Sequence, residues 1–145
     1  MTRRSDRPPA GWSTVLDVIV RGAIEATEAS SGCVLLVEGG ELVVAASAGR
    51  EGWEPAVREP AGYVVASAQP IALSPSGAGP AGAGAALGGA TSVLCVPCPH
   101  GDAVVGALAV VDKADGASFA YEDLELATLL AGVAGAVLAV ARGPA

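Results

Sequence analysis

Apolar residues recur from Trp12 through Leu16, Ile19, Ala23 and Ala26 at alternating steps of four and three, while Asp17, Arg21, Glu25 and Glu28 share another face. This spacing predicts an amphipathic first helix. Asp17 with Arg21, and Arg21 with Glu25, are placed for weak ion pairs on its wet side, and Ser30, Ser31 and Gly32 are expected to end it. Two short runs rich in Val and Leu follow, Cys33–Val37 and Leu42–Ser47, separated by Glu38-Gly39-Gly40-Glu41. The glycine pair supplies the positive φ angles of a tight hairpin turn. Gly49–Pro60 is rich in turn formers and predicts a loop, Gly62–Gln69 a short helical segment closed by Pro70, and Ile71–Leu73 an edge strand.

Ser74–Ala90 is almost wholly Gly, Ala, Pro and Ser. A run with so little side chain to bury and so much backbone entropy to lose predicts a flexible loop. Ser92–Cys98 and Ala103–Val111 carry the strongest strand pattern, joined through Pro99-His100-Gly101-Asp102, and are expected to form the sheet centre. Asp112–Ser118 reads as a polar turn. Tyr121–Arg142 reads as the last helix, with Glu122 and Asp123 in the first turn, where the helix dipole favours negative charge. Along it Ala127, Ala131, Gly135 and Ala139 recur every four residues, a groove of small side chains that lets another helix approach closely. That partner is either the domain's own sheet and first helix or the same helix of a second copy.

Composition narrows the function. The 145 residues fit one domain, and with 52% hydrophobic but only 3% aromatic residues the core must be built from Ala, Val and Leu. A net charge of −7 and eight scattered Lys and Arg lack the basic stripe a nucleic-acid partner requires. Met1–Gly11 reads as a disordered polar tail without the apolar segment of a secretion signal. Three cysteines, an odd number, suit a reducing compartment, so a cytoplasmic location is expected. Leu126–Ala141 is uncharged and mean hydropathy is +0.53, but the stretch is mostly Ala and Gly and shorter than a bilayer span, so no membrane insertion is expected.

Cys95-Val96-Pro97-Cys98, with His100 close by, has the spacing of a redox or zinc half-site. Residues three apart in a strand point to opposite faces, and a zinc site would have to recruit Cys33 from another strand, so buried inert thiols are the expectation. The lone histidine sits in a predicted hairpin turn and completes no Ser, His and Asp arrangement.

Several segments resemble the GAF domain family over residues 12–142. Gly62-Tyr63-Val64-Val65-Ala66-Ser67-Ala68-Gln69-Pro70 looks like the family's Gly-x-Val-Ala-x-Thr-Gly-x-Pro segment, and Ser92-Val93-Leu94-Cys95-Val96-Pro97 is similar to its Ser-x-Leu-x-Val-Pro strand. Val105-Gly106-Ala107-Leu108 follows in place of Ile-Gly-Val-Leu, and Asp112-Lys113 with Phe119, Glu122 and Asp123 is similar to the Asn-Lys, Phe and Asp-Glu pattern of members that bind cyclic nucleotides. The resemblance implies an α+β fold with an antiparallel sheet of five or six strands, the terminal helices on one face and a loop-covered pocket on the other. It implies a pocket lining of Cys33, Leu35, Val64, Thr91, Val93, Cys95 and Asp112, and a clasp between Lys113 and Asp123 joining the last strand to the last helix.

Departures from the pattern bear on the ligand. Asp112 replaces Asn, Leu124 replaces Glu, Ala68 replaces Gly, and Ala120 stands where a Ser or Thr would cap the last helix. Ser74–Ala90 falls where ligand-binding relatives carry a lid helix, and it holds no Cys, His, Asp, Arg or aromatic side chain. Haem, a covalent bilin and a cyclic nucleotide are therefore not expected, and no other cofactor is predicted. The resemblance implies a standalone, non-catalytic regulatory module that binds a small metabolite or a signalling protein such as a kinase or regulator. It is expected to dimerise through its terminal helices, at Ala127, Ala131, Gly135 and Ala139. Two rival readings are a purely structural dimerisation module with a collapsed pocket and an enzyme similar to the GAF-like reductases of free methionine sulfoxide, whose cysteines surround the pocket.

Overall fold

A computed structural model describes residues 10–50, 53–74 and 90–142. Helix α1 spans Ala10–Thr27, strands β1 and β2 span Ala29–Glu38 and Glu41–Ala48, and helix α2 spans Glu54–Ser67. Strands β3, β4 and β5 follow at Ile71–Leu73, Val93–His100 and Ala103–Lys113, then a 3-10 turn at Ala114–Gly116 and helix α3 at Tyr121–Arg142. The five strands form one antiparallel sheet in the order β2-β1-β5-β4-β3. The expected tail and most of Ser74–Ala90 lie outside the described residues, and α1 begins at Ala10, ahead of the expected boundary.

Three local expectations are corrected. The first helix stops at Thr27, because Glu28 adopts φ +59 and turns the chain; Ser30, Ser31 and Gly32 are already strand. The segment after Gly49 is helical from Glu54, since Pro55 sits in the first turn, where a missing N–H costs nothing. Pro60, expected at the end of that loop, lies within α2 and is buried. Ala26, assigned to the inner face of α1, is exposed, and Val20 is fully buried instead.

Strand alternation divides the core in two. Val34, Leu36, Leu94, Val96, Leu108 and Val110 face α1 and α3, while Cys33, Leu35, Val93, Cys95, Ala107, Ala109 and Val111 face α2. Gly39 and Gly40, at φ +61 and +83, make the expected hairpin turn. On the outer strand β2, Ala45 is an extra residue in the pairing with β1, and Arg58 of α2 donates to the Leu42 carbonyl at 2.6 Å.

The small-residue stripe packs inward. Ala127, Ala131 and Ala134 are buried against β4 and α1. A Cβ on Gly135 would meet the Pro99 carbonyl carbon at 2.9 Å and its oxygen closer still. Of the two partners left open for the stripe, the domain's own sheet and first helix take Ala127, Ala131 and Gly135, which are therefore not available as an intermolecular face, while Ala139 is half-buried. By length and composition α3 is the one helix among the described residues apolar enough to cross a membrane.

Gly135→Ala is expected to destabilise the protein, since the clash is with backbone and overpacking costs about 1–3 kcal/mol against a helix-propensity gain of about 1 kcal/mol. Gly132→Ala, whose Cβ meets nothing within 4 Å, is expected to be neutral or stabilising. Urea unfolding of the two variants distinguishes close packing from propensity.

Candidate functional site

The face under α2 holds five of the seven expected lining residues. Cys33 and Cys95 both sit opposite Ala109 of β5, one on each flank, so two thiols share one face over a small central residue. Leu35 and Val93 extend this floor, and Val64 descends onto it from α2 beside Trp53, Val57 and Ala61. All five expected residues are fully buried. Burial, with the nearby Glu54 carboxylate, pushes the Cys33 thiol up to about 12, and burial drives Cys95 well above the usual thiol range. Neither is a ready nucleophile at neutral pH.

Cys98 lies across the sheet, in the cluster under α1 and α3, and burial pushes its thiol up to about 12 as well. The paired-cysteine spacing therefore points one thiol to each face, and His100 stands exposed at the turn. Among the described residues no group of three or more Cys, His, Asp or Glu converges for a metal ion.

Thr91 and Asp112 form the rim. Asp112 Oδ1 accepts from the Thr91 amide at 2.6 Å and from its hydroxyl at 3.0 Å, and Oδ2 pairs with the Arg50 guanidinium. Arg50 is anchored in turn: its amide donates to Ser31 Oγ at 2.9 Å, and its carbonyl accepts from Trp53 Nε1. Arg50 and Trp53 were not found from the sequence. Arg50 lies 62 positions from its carboxylate partner, a separation no local pattern marks, whereas a tryptophan in so aromatic-poor a chain was a signal available to use.

Lys113 meets Asp123 as the clasp geometry requires, with Nζ 2.9 Å from Oδ2. It also donates to the Thr27 carbonyl at 2.9 Å, approaches Glu28 at 3.6 Å and lies over the Phe119 ring. The hydrogen bond to Asp123 holds the ammonium above its ordinary pKa. Asp123 Oδ2 accepts from the Ala120 amide at 2.7 Å as well, supplying from the third helical position part of the cap that Ala120 cannot.

Two further features complete the surface. A cleft of about 170 Å³ lies between the β3 edge and the start of α3, lined by Pro70, Ile71, Leu94, Phe119, Tyr121 and Leu124 among others. It is smaller than the few hundred Å³ a small-molecule site usually needs. On the outer side of α3, Leu126, Leu129, Val133 and Val140 are exposed, Leu129 at 70%, as are Val15 and Val18 on α1. Sequence reasoning did not single out this outer stripe, because it considered an intermolecular contact only at the small residues and left that contact open against packing inside the domain.

Comparison with known proteins agrees with this architecture. The GAF domain family matches residues 10–139. No curated protein matches the chain in sequence. Among solved structures, the GAF domain of an Acinetobacter phosphoenolpyruvate-protein phosphotransferase is similar at a TM-score of 0.72 and 20% identity, covering 92% of this chain and 86% of that one. A type II free methionine-R-sulfoxide reductase from Thermoplasma acidophilum is similar at a TM-score of 0.70 and 12% identity, covering 90% and 94%. A domain of a putative two-component sensor histidine kinase protein from Sinorhizobium meliloti reaches 0.67 at 17% identity, covering 90% and 92%. With the family matched over nearly the whole chain and the fold shared with these domains, the chain belongs to the GAF domain family.

Proposed function

We propose that this chain is a non-catalytic sensory or regulatory GAF module of a cytoplasmic signalling system, working as a homodimer through the outer faces of α1 and α3. The observation that carries the reading is that α3 is apolar on both sides. Its inner side packs small residues onto the sheet, while its outer side presents Leu126, Leu129, Val133 and Val140 uncovered by the other described residues. A helix apolar all round is stable in water only when both sides are covered. The outer residues recur at steps of three, four and seven, the seam of a helix pair, and no charge falls between Leu126 and Ala141. Two copies of an acidic chain can meet there without like-charge repulsion.

The α2 face is the place for a small ligand or a signalling partner, and Thr91, Asp112 and Arg50 at its rim are the polar groups that would orient one. One observation favours the rival reading of a dimerisation module with a collapsed pocket: Cys33, Leu35, Val64, Val93 and Cys95 are already packed against one another and Trp53. Catalysis like that of the sulfoxide reductases requires an accessible thiolate, whereas Cys33 and Cys98 at about 12 are ionised to about one part in ten thousand at pH 8.

Native mass spectrometry of the whole chain is expected to give a dimer. A retained small molecule supports the sensor reading, and a clean apo dimer with melting unchanged across a metabolite mixture supports the structural one. Leu129→Glu with Val133→Glu is expected to yield a folded monomer in sedimentation equilibrium, because both positions are exposed; a monomeric parent overturns the dimer. With a disulfide thiol reagent at pH 8, the folded protein is expected to react at least about a hundredfold more slowly than in urea. One rapidly labelled cysteine would instead place the chain with the enzymes.

A further inference from the structure

Asp112 and Lys113 are neighbours at the end of β5, yet they belong to different clusters. The Asp112 carboxylate ties the loop after β2, through Arg50, to the segment entering β4, through Thr91. Lys113 ties the end of α1, through Thr27 and Glu28, to the start of α3, through Asp123. Ala107, Ala109 and Val111 point to the α2 face, so strict alternation would send Lys113 there too. It reaches the terminal helices instead because Asp112 stands at φ +62 and re-aims the chain. Asp tolerates that conformation better than most residues but at some cost, and the groups that hold its carboxylate are the Arg50 guanidinium and the Thr91 amide and hydroxyl. Ser92 reinforces the joint from β4: its carbonyl accepts from the Asp112 amide at 2.9 Å and its hydroxyl from the Lys113 amide at 3.1 Å.

We propose that the Asp112-Lys113 dipeptide is a mechanical joint coupling the Arg50 and Thr91 rim to the junction of α1 and α3. Drawing Arg50 or Thr91 away releases one oxygen of the Asp112 carboxylate and weakens the support for its positive φ. Relaxation of that torsion swings Lys113 away from Asp123 and Thr27 and loosens the terminal helices where they meet. The structure shows the held arrangement; a released one, biased from both clusters, would meet the physical requirement for coupling between sites. The joint belongs to the free chain, independent of any ligand and of the dimer.

Amide hydrogen exchange by NMR on the free, full-length protein tests it. Arg50→Ala is expected to accelerate exchange about five- to tenfold at Ala114 and Ala120, whose amides bond to Glu28 and Asp123 in the helix junction, leaving the middle of α1 around Val20 unchanged. Asp112→Asn, which tolerates positive φ and keeps an acceptor for Thr91, is expected to show a smaller effect than Asp112→Ala. In the reverse direction, Asp123→Asn is expected to accelerate the Thr91 amide. If Arg50→Ala disturbs Thr91 alone and leaves Ala114 and Ala120 within about twofold of the parent, the two clusters are independent and the proposal fails. If Arg50→Ala unfolds the whole domain, the Asp123→Asn result decides, and an unchanged Thr91 amide again overturns it.

Discussion

With only a hydrogen as its side chain, Gly135 lets α3 rest on the Pro99 carbonyl, and that close approach sets the distance between the helical layer and the sheet. The surrounding residues are chosen to match. Gly106 leaves room for Leu138 Cδ1 2.8 Å from where its Cβ would stand, Ala131 and Ala134 are fully buried, and Leu16, Val20 and Leu138 fill the remaining volume. A chain with 3% aromatic residues cannot fill a wide gap with large rings, so it brings the layers together and fills a narrow one with methyl groups. Dense packing of this kind tolerates loss of volume poorly and gain of volume hardly at all.

The same closeness explains why α3 is apolar outside as well as inside. Small residues on the inner side bury little area per residue, and although Leu138 is buried among them, Leu126, Leu129, Val133 and Val140 are left on the outer side. Inside the sheet the division is cleaner: alternate residues of β1, β4 and β5 serve two separate clusters, one under the terminal helices and one under α2.

Much of this was legible in the sequence. The five strands, the Gly39-Gly40 turn and the bounds of α3 follow from period and turn chemistry, and the opposite facing of Cys95 and Cys98 follows from strand geometry alone. The GAF resemblance supplied what period could not, namely the Lys113 and Asp123 pairing. The failures share a cause in tertiary context. Pro55 and Pro60 are breakers by local rule, but one occupies a position that needs no N–H and the other is a buried residue inside the helix. The small stripe of α3 and the Arg50–Asp112 pair depend on which elements meet in space, and nothing within a few residues encodes that.

Strand β2 carries a different consequence. It is an edge strand, eight residues long, and after Glu41 it holds neither a charge nor a proline from Leu42 to Ala48. Such an edge is a template on which an extended segment of another chain can grow a cross-β contact. The extra Ala45 breaks the regular repeat of the edge, and Arg58 occupies the Leu42 carbonyl with a fixed positive charge. Both features interrupt the regular row of edge groups that such a contact would extend.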